Sequence, residues 1–171
     1  GNVVRKDSAA LEEGFGPYLP LELLLRLDDP ATLKRAAFLQ ALADAAERLE
    51  GQEGFGVALS VVDLVSELKK GLTGSAALRR QPSMDDAEAA QLFELLALDG
   101  GETLDPFIDD GGRVVRLTVT IWMGSARVFG SAVDEATRTV TEALLARGVT
   151  GVEVARSGYL PLYERMLDQV V

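Results

Sequence analysis

The sequence predicts an α+β fold, an α/β sandwich of helices on a four-stranded antiparallel sheet, and three observations carry that prediction. Two stretches, Leu21–Leu27 and Arg113–Met123, alternate apolar residues with a period of two, as strands with one buried face do. Each is followed by a longer stretch whose apolar residues recur at helical spacing. The whole is 171 residues long, the size of one domain that buries enough surface to fold without a disulfide or metal.

In the first strand Leu21, Leu23, Leu25 and Leu27 share one face, with Glu22, Leu24 and Arg26 between them. Asp28-Asp29-Pro30 then reads as a helix start, an acidic cap with proline in the first turn. Leu33, Ala37, Phe38, Ala41, Leu42, Ala45 and Leu49 form the apolar stripe of that helix, Lys34, Arg35, Asp44, Glu47 and Arg48 fall mostly opposite, and Gly51 is its stop. Phe55–Leu59 is a second, short strand.

Residues 60–110 differ in character and read as a mostly helical insertion. Ser60-Val-Val-Asp63 and Ser83-Met-Asp-Asp86 resemble capping boxes with Asp in place of Glu. Val61, Leu64, Val65, Leu68 and Leu72 follow the first, and Leu92, Phe93, Leu95 and Leu96 the second. Gly71–Pro82 is a basic loop with Arg79 and Arg80, and Asp99-Gly100-Gly101 and Asp109-Asp110-Gly111-Gly112 are turns.

Arg113–Met123 is the clearest strand. Val115, Leu117, Val119, Ile121 and Met123 line one face, and Val114, Arg116, Thr118, Thr120 and Trp122 the other. Gly124–Gly130 reads as a loop and Ser131-Ala-Val-Asp134 as a third helix start. Val133, Ala136, Val140, Ala143 and Leu144 form the next helical stripe, Gly148 ends it, and Val152–Val154 is a last short strand.

Strand, helix, strand, insertion, strand, helix, strand is the order of the ferredoxin-like split βαβ plan. Right-handed crossovers then place both main helices on one face of the sheet. The first and last strands become antiparallel neighbours, so the chain enters and leaves at the same end. Residues 1–18 form a lead-in, and residues 19–171 a single domain interrupted by the insertion. The chain does not begin with Met, and it reads as a segment of a longer protein, in which Gly1-Asn2 is either native or a cloning remnant. Glu-Gly-Phe-Gly occurs at Glu13–Gly16 and Glu53–Gly56 but extends no further, and it is no structural repeat.

Composition removes several functions. With no Cys and no His, thiolate and imidazole metal sites, imidazole triads and a histidine switch between pH 5 and 8 are all out of reach. A net charge of −10 opposes a phosphate backbone, so no nucleic-acid partner is expected. The richest apolar stretches, Leu19–Leu27 and Leu92–Leu98, are interrupted by charge and far shorter than the ~20 residues of a membrane helix.

The remaining chemical motifs are weak. Ser66-x-x-Lys69 has the core of a Ser–Lys acylation motif but neither companion motif, and it falls mid-helix. Asp99, Glu102, Asp105, Asp109 and Asp110 lack the ordered spacing of a calcium loop. No carboxylate pair stands out for glycoside hydrolysis. Gly54-Phe-Gly56 lacks the third glycine of a dinucleotide fingerprint. Arg79-Arg80 reads as a solvated basic pair. No catalytic residue, cofactor or metal is expected.

The informative run is Gly158-Tyr159-Leu160-Pro161-Leu162-Tyr163-Glu164-Arg165-Met166. It resembles the segment leading from an extracytoplasmic domain into a membrane helix in RND-superfamily exporters of the MmpL or hydrophobe-exporter type. Leu19-Pro20-Leu21-Glu22 is similar to the start of that domain, and Leu59–Leu68 resembles the segment after its second strand. Arg156-Ser157-Gly158 departs from the Thr-Gly usual in the family, and Ile121-Trp122 stands where a polar, acidic turn is more usual.

The resemblance implies a periplasmic substrate-path domain of a proton-driven exporter of lipids or other hydrophobic molecules. It would carry a junction at Gly158, Pro161, Leu162, Tyr163 and Arg165. Its partners would be the second extracytoplasmic loop and the transmembrane helices of the same protein. The other reading is a stand-alone ferredoxin-like module that binds a small ligand or regulates. Under the exporter reading Trp122, Thr120, Thr118 and Arg116 form a contact surface on the sheet face that the two main helices leave open. The competing expectation is that the 60–110 insertion folds over this face and buries Trp122.

Overall fold

The computed structural model describes residues 19–74, 80, 83–109, 111–122 and 126–157. Its strands are β1 (Leu19–Leu27), β2 (Phe55–Ser60), β3 (Val114–Ile121) and β4 (Val152–Ser157), in the spatial order β2-β3-β1-β4 with every pairing antiparallel. This is the ferredoxin-like order. The helices are α1 (Ala36–Glu50), α2 (Val61–Thr73), α3 (Asp86–Leu96) and α4 (Ala126–Ala146).

The register shows why the period-two stretches pair. Leu21 lies opposite Val119, Leu23 opposite Leu117 and Leu25 opposite Val115, and all six are fully buried. A slip of one residue would turn this row to the other face, so burial itself fixes the alignment. The same face receives α1 through Phe38, Leu39, Leu42, Ala45 and Leu49, and α4 through Val133, Ala136, Val140, Ala143 and Leu144. A two-point ion pair from Arg147 to Asp44, at 2.8 and 3.1 Å, joins these helices. Arg156 of β4 pairs with Asp134 of α4.

Leu19 opens β1, and Ser157, which closes β4, lies opposite Glu22. The described chain therefore enters and leaves the sheet at one end. No helix among the described residues is long and apolar enough to cross a membrane.

The described residues between 60 and 110 are mostly helical, as expected. Val61, Val62 and Val65 of α2 and Ala89, Leu92 and Phe93 of α3 join the core. The segment then returns beside β3: the Arg116 N–H donates to the Phe107 carbonyl at 2.7 Å, and the Asp109 N–H to that of Val114 at 3.1 Å. It continues the sheet edge where β2 ends, since β2 pairs with Leu117–Ile121 of β3.

Three helix starts differ from the sequence reading, and α2 runs on to Thr73, into the stretch from Gly71 expected to be loop. Asp29 does cap, accepting the Ala31 N–H at 2.9 Å, but the element it caps is a 3-10 turn, Pro30–Lys34. The backbone then extends at Arg35 (φ −88°, ψ 132°) before α1 begins. The start of α1 is capped by Asp86 from the insertion, whose Oδ1 accepts the Ala36 N–H at 2.8 Å. That leaves Asp85 rather than Ser83 to cap α3, accepting the Glu88 N–H at 2.8 Å. Finally, Ser131 starts nothing: α4 begins at Ala126 and runs through the glycine-flanked stretch expected to be a loop. Buried Phe129 lies one turn before Val133, so the apolar stripe extends further back than the cap-like Ser131 suggests.

Candidate functional site

Side chains that alternate away from the helices form the second face of the sheet. Register places Leu24 beside Arg116, Glu22 beside Thr118, Pro20 beside Thr120, and Leu59 on the other side of Thr118. Val57 and Leu59 are 48% and 46% exposed, although β-strand valine and leucine are ordinarily core residues. Thr118 and Thr120 are half-buried between their neighbours, and Thr120 Oγ1 lies 3.5 Å from the Val57 carbonyl oxygen. Arg116 is exposed and donates from Nη1 to the Pro106 carbonyl at 3.0 Å. The centre of the face is thus aliphatic and hydroxyl-bearing, with charge toward its ends.

Trp122 follows the last residue of β3, and its N–H donates to the Gly54 carbonyl at 3.2 Å. It is 38% exposed and lines a cleft of about 290 Å³ with Glu53, Gly54, Phe55, Ile121, Ser131, Ala132 and Glu135. Those residues come from the start of β2, the end of β3 and α4; among the described residues the insertion supplies none of them. We expect acrylamide to quench the single tryptophan of the isolated chain efficiently. Emission shielded as in a core residue would mean that this surface is already covered within the chain.

The junction residues Gly158, Pro161, Leu162, Tyr163 and Arg165 lie outside the described residues. Ser66 and Lys69 do not pair: Lys69 Nζ bonds the Ser83 carbonyl and lies 2.8 Å from Glu88, while Ser66 Oγ is buried without a partner among the described residues. Asp109 serves its turn, its Oδ1 accepting from the N–H groups of Arg113 and Val114 at 2.8 and 3.1 Å.

Arg80 corrects the reading of a solvated basic pair. Its side chain is 1% exposed, and its guanidinium makes a two-point contact with Glu50 at 2.8 and 3.0 Å. Nε donates to Asp63 Oδ1 at 2.6 Å, and Nη2 also donates to the Ala58 carbonyl. Burial pulls the guanidinium pKa down, but the hydrogen bonds and charges of Glu50 and Asp63 outweigh it and hold the pKa above its usual value. No local signal marks this cluster: Glu50 reads as the end of a helix, Asp63 as a cap, and Arg80 as loop. Arg79 lies outside the described residues.

No protein-family model matches the chain, and no curated protein matches it in sequence.

Proposed function

We propose that this chain is an extracytoplasmic, substrate-path domain of an RND-type membrane exporter of lipids or other hydrophobic molecules. The observation that carries the proposal is the Glu22–Ser157 pairing, which brings the two ends of the described fold together. A domain inserted between successive membrane helices has to begin and end on one side. The Gly158–Met166 run, with its resemblance to the family's domain-to-membrane junction, follows directly from that end.

The open sheet face adds a second support. Its centre offers Val57, Leu59, Thr118 and Thr120, which suit contact with an apolar molecule or a neighbouring loop better than contact with a polar solute. In this reading the domain guides and contacts its cargo and catalyses nothing. The proton-driven step belongs to polar residues within the membrane helices of the whole exporter.

Side-specific thiol labelling of the full-length protein tests the proposal. Labelling of this domain by a membrane-impermeant reagent in intact cells is the expected result. A full-length product that is free of the membrane would favour the stand-alone binding or regulatory module instead.

A further inference from the structure

An edge strand leaves the N–H and C=O of every second residue without a strand partner, and such an edge is a template for another chain. β2 is an edge strand, hydrogen-bonded to β3 on one side only. Its other side is nevertheless occupied. The Ala58 N–H donates to Glu50 Oε1 at 2.9 Å, and the Ala58 carbonyl accepts from Arg80 Nη2. Two residues on, roughly 7 Å along the strand, the Ser60 N–H donates to Asp63 Oδ2 at 2.8 Å.

The three side chains are themselves one unit. Arg80 spans both carboxylates, with Glu50 on Nη1 and Nη2 and Asp63 on Nε. Carboxylate, guanidinium and carboxylate thus present acceptor, donor and acceptor in the order in which the backbone of a neighbouring strand would meet Ala58 and Ser60.

We infer that Glu50, Arg80 and Asp63 act as a side-chain surrogate for a fifth strand, and that they keep β2 from pairing with the β2 of a second copy of this chain. A second copy is the occupant this edge fits. Two β2 strands related by a two-fold axis pair antiparallel, and that pairing would join the exposed Val57 and Leu59 of both copies into one apolar strip. Arg80 is the member whose loss undoes the arrangement. Without it Glu50 and Asp63 lose the cation they share, and the Ala58 carbonyl loses the donor it has in Arg80. The inference stands whether or not the chain belongs to an exporter.

The test compares the complete chain with its Arg80→Met variant, by sedimentation over a range of concentrations and by amide hydrogen exchange. The expected result is a monomeric parent with protected Ala58 and Ser60 amides. The variant should dimerise, and in dilute solution its Ala58 amide should exchange at least about tenfold faster. Adding Val57→Lys to Arg80→Met should return it to monomer by placing a charge beside the exposed edge. If Arg80→Met does not fold, Arg80→Lys replaces it: lysine keeps the charge, but its three donors sit on one nitrogen and cannot reproduce the four bonds that the guanidinium spreads over Glu50, Asp63 and Ala58, and the same two changes are expected. A folded variant that stays monomeric, or an Ala58 amide that exchanges as in the parent, would overturn the inference.

Discussion

Arg80→Ala is expected to lower the unfolding free energy by about 3 kcal/mol, near the lower end of the ~3–5 kcal/mol seen when one partner of a buried ion pair is removed. The size of the loss reflects the groups left behind rather than the attraction lost. Truncation strips the Ala58 carbonyl of its donor and leaves Glu50 and Asp63 without their shared cation. The lower end applies because the Glu50 and Asp63 side chains keep 22% and 16% exposure, so water can partly solvate them once the guanidinium is gone. Glu50→Gln with Asp63→Asn and Arg80→Met should cost less than Arg80→Ala alone, since the carboxylate charges are removed together with the cation they share. Urea unfolding measures both. A loss below about 1 kcal/mol for Arg80→Ala would show that the cluster behaves as an ordinary surface salt bridge.

Phe38→Ala is expected to cost about 3–5 kcal/mol, the range for deleting a buried aromatic ring and leaving a cavity. Phe38 is fully buried in the first turn of α1, where that helix meets the sheet. Because α1 also carries Leu39, Leu42, Ala45 and Leu49 into the same core, its neighbours are fixed and cannot all collapse into the gap. Leu98→Ala is the control. Leu98 is a large aliphatic that stays mostly in water, and its truncation should lie within about 0.5 kcal/mol of the parent. Equal losses at the two positions would contradict the assigned core.

The parts of the fold legible in the sequence are those written with a short period. The alternation from Leu21 to Leu27 and from Val115 to Ile121 names both the strands and the face each one buries, and from face and order the strand neighbours follow. The stripe Val133, Ala136, Val140, Ala143, Leu144 is equally readable, and all five are buried. The beginnings of helices are not. Ser-x-x-Asp is a weak signal because Ser and Asp are also ordinary turn and mid-helix residues. It marks the start of α2 and misses those of α3 and α4. The start of α1 has no local signature, since its cap is Asp86, brought in by the insertion.

The same division holds for the candidate surface. Period-two parity places Thr118 and Thr120 with Arg116 on one face of their strand, and Leu24 opposite the buried leucines of its own. Leu59 joins them only through the register, because Phe55, Val57 and Leu59 are the apolar row of β2 and yet Ala58 and Ser60 are the residues that turn inward. The position of Trp122 is not legible in this way, because the strand ends at Ile121 and parity ends with it. Arg80 escapes a local reading for a related reason. Composition says that a basic pair in an acidic chain is solvated, yet the outward groups of β2 and two carboxylates converge on one point, and only a buried guanidinium supplies enough donors in that space.

The most direct test of the account uses the absence of cysteine from this chain. Leu98→Cys places a thiol at an 80% exposed position, and Ala45→Cys places one at a fully buried position as the control. Each is introduced into the full-length protein in its own membrane, intact cells are treated with an impermeant maleimide, and the labelled peptide is identified after digestion. An extracytoplasmic domain predicts that the Leu98→Cys thiol is labelled to the same extent in intact and in lysed cells, while the Ala45→Cys thiol reacts only after unfolding. Labelling of the Leu98→Cys variant that occurs only on lysis would place the domain on the cytoplasmic side and contradict the proposed function.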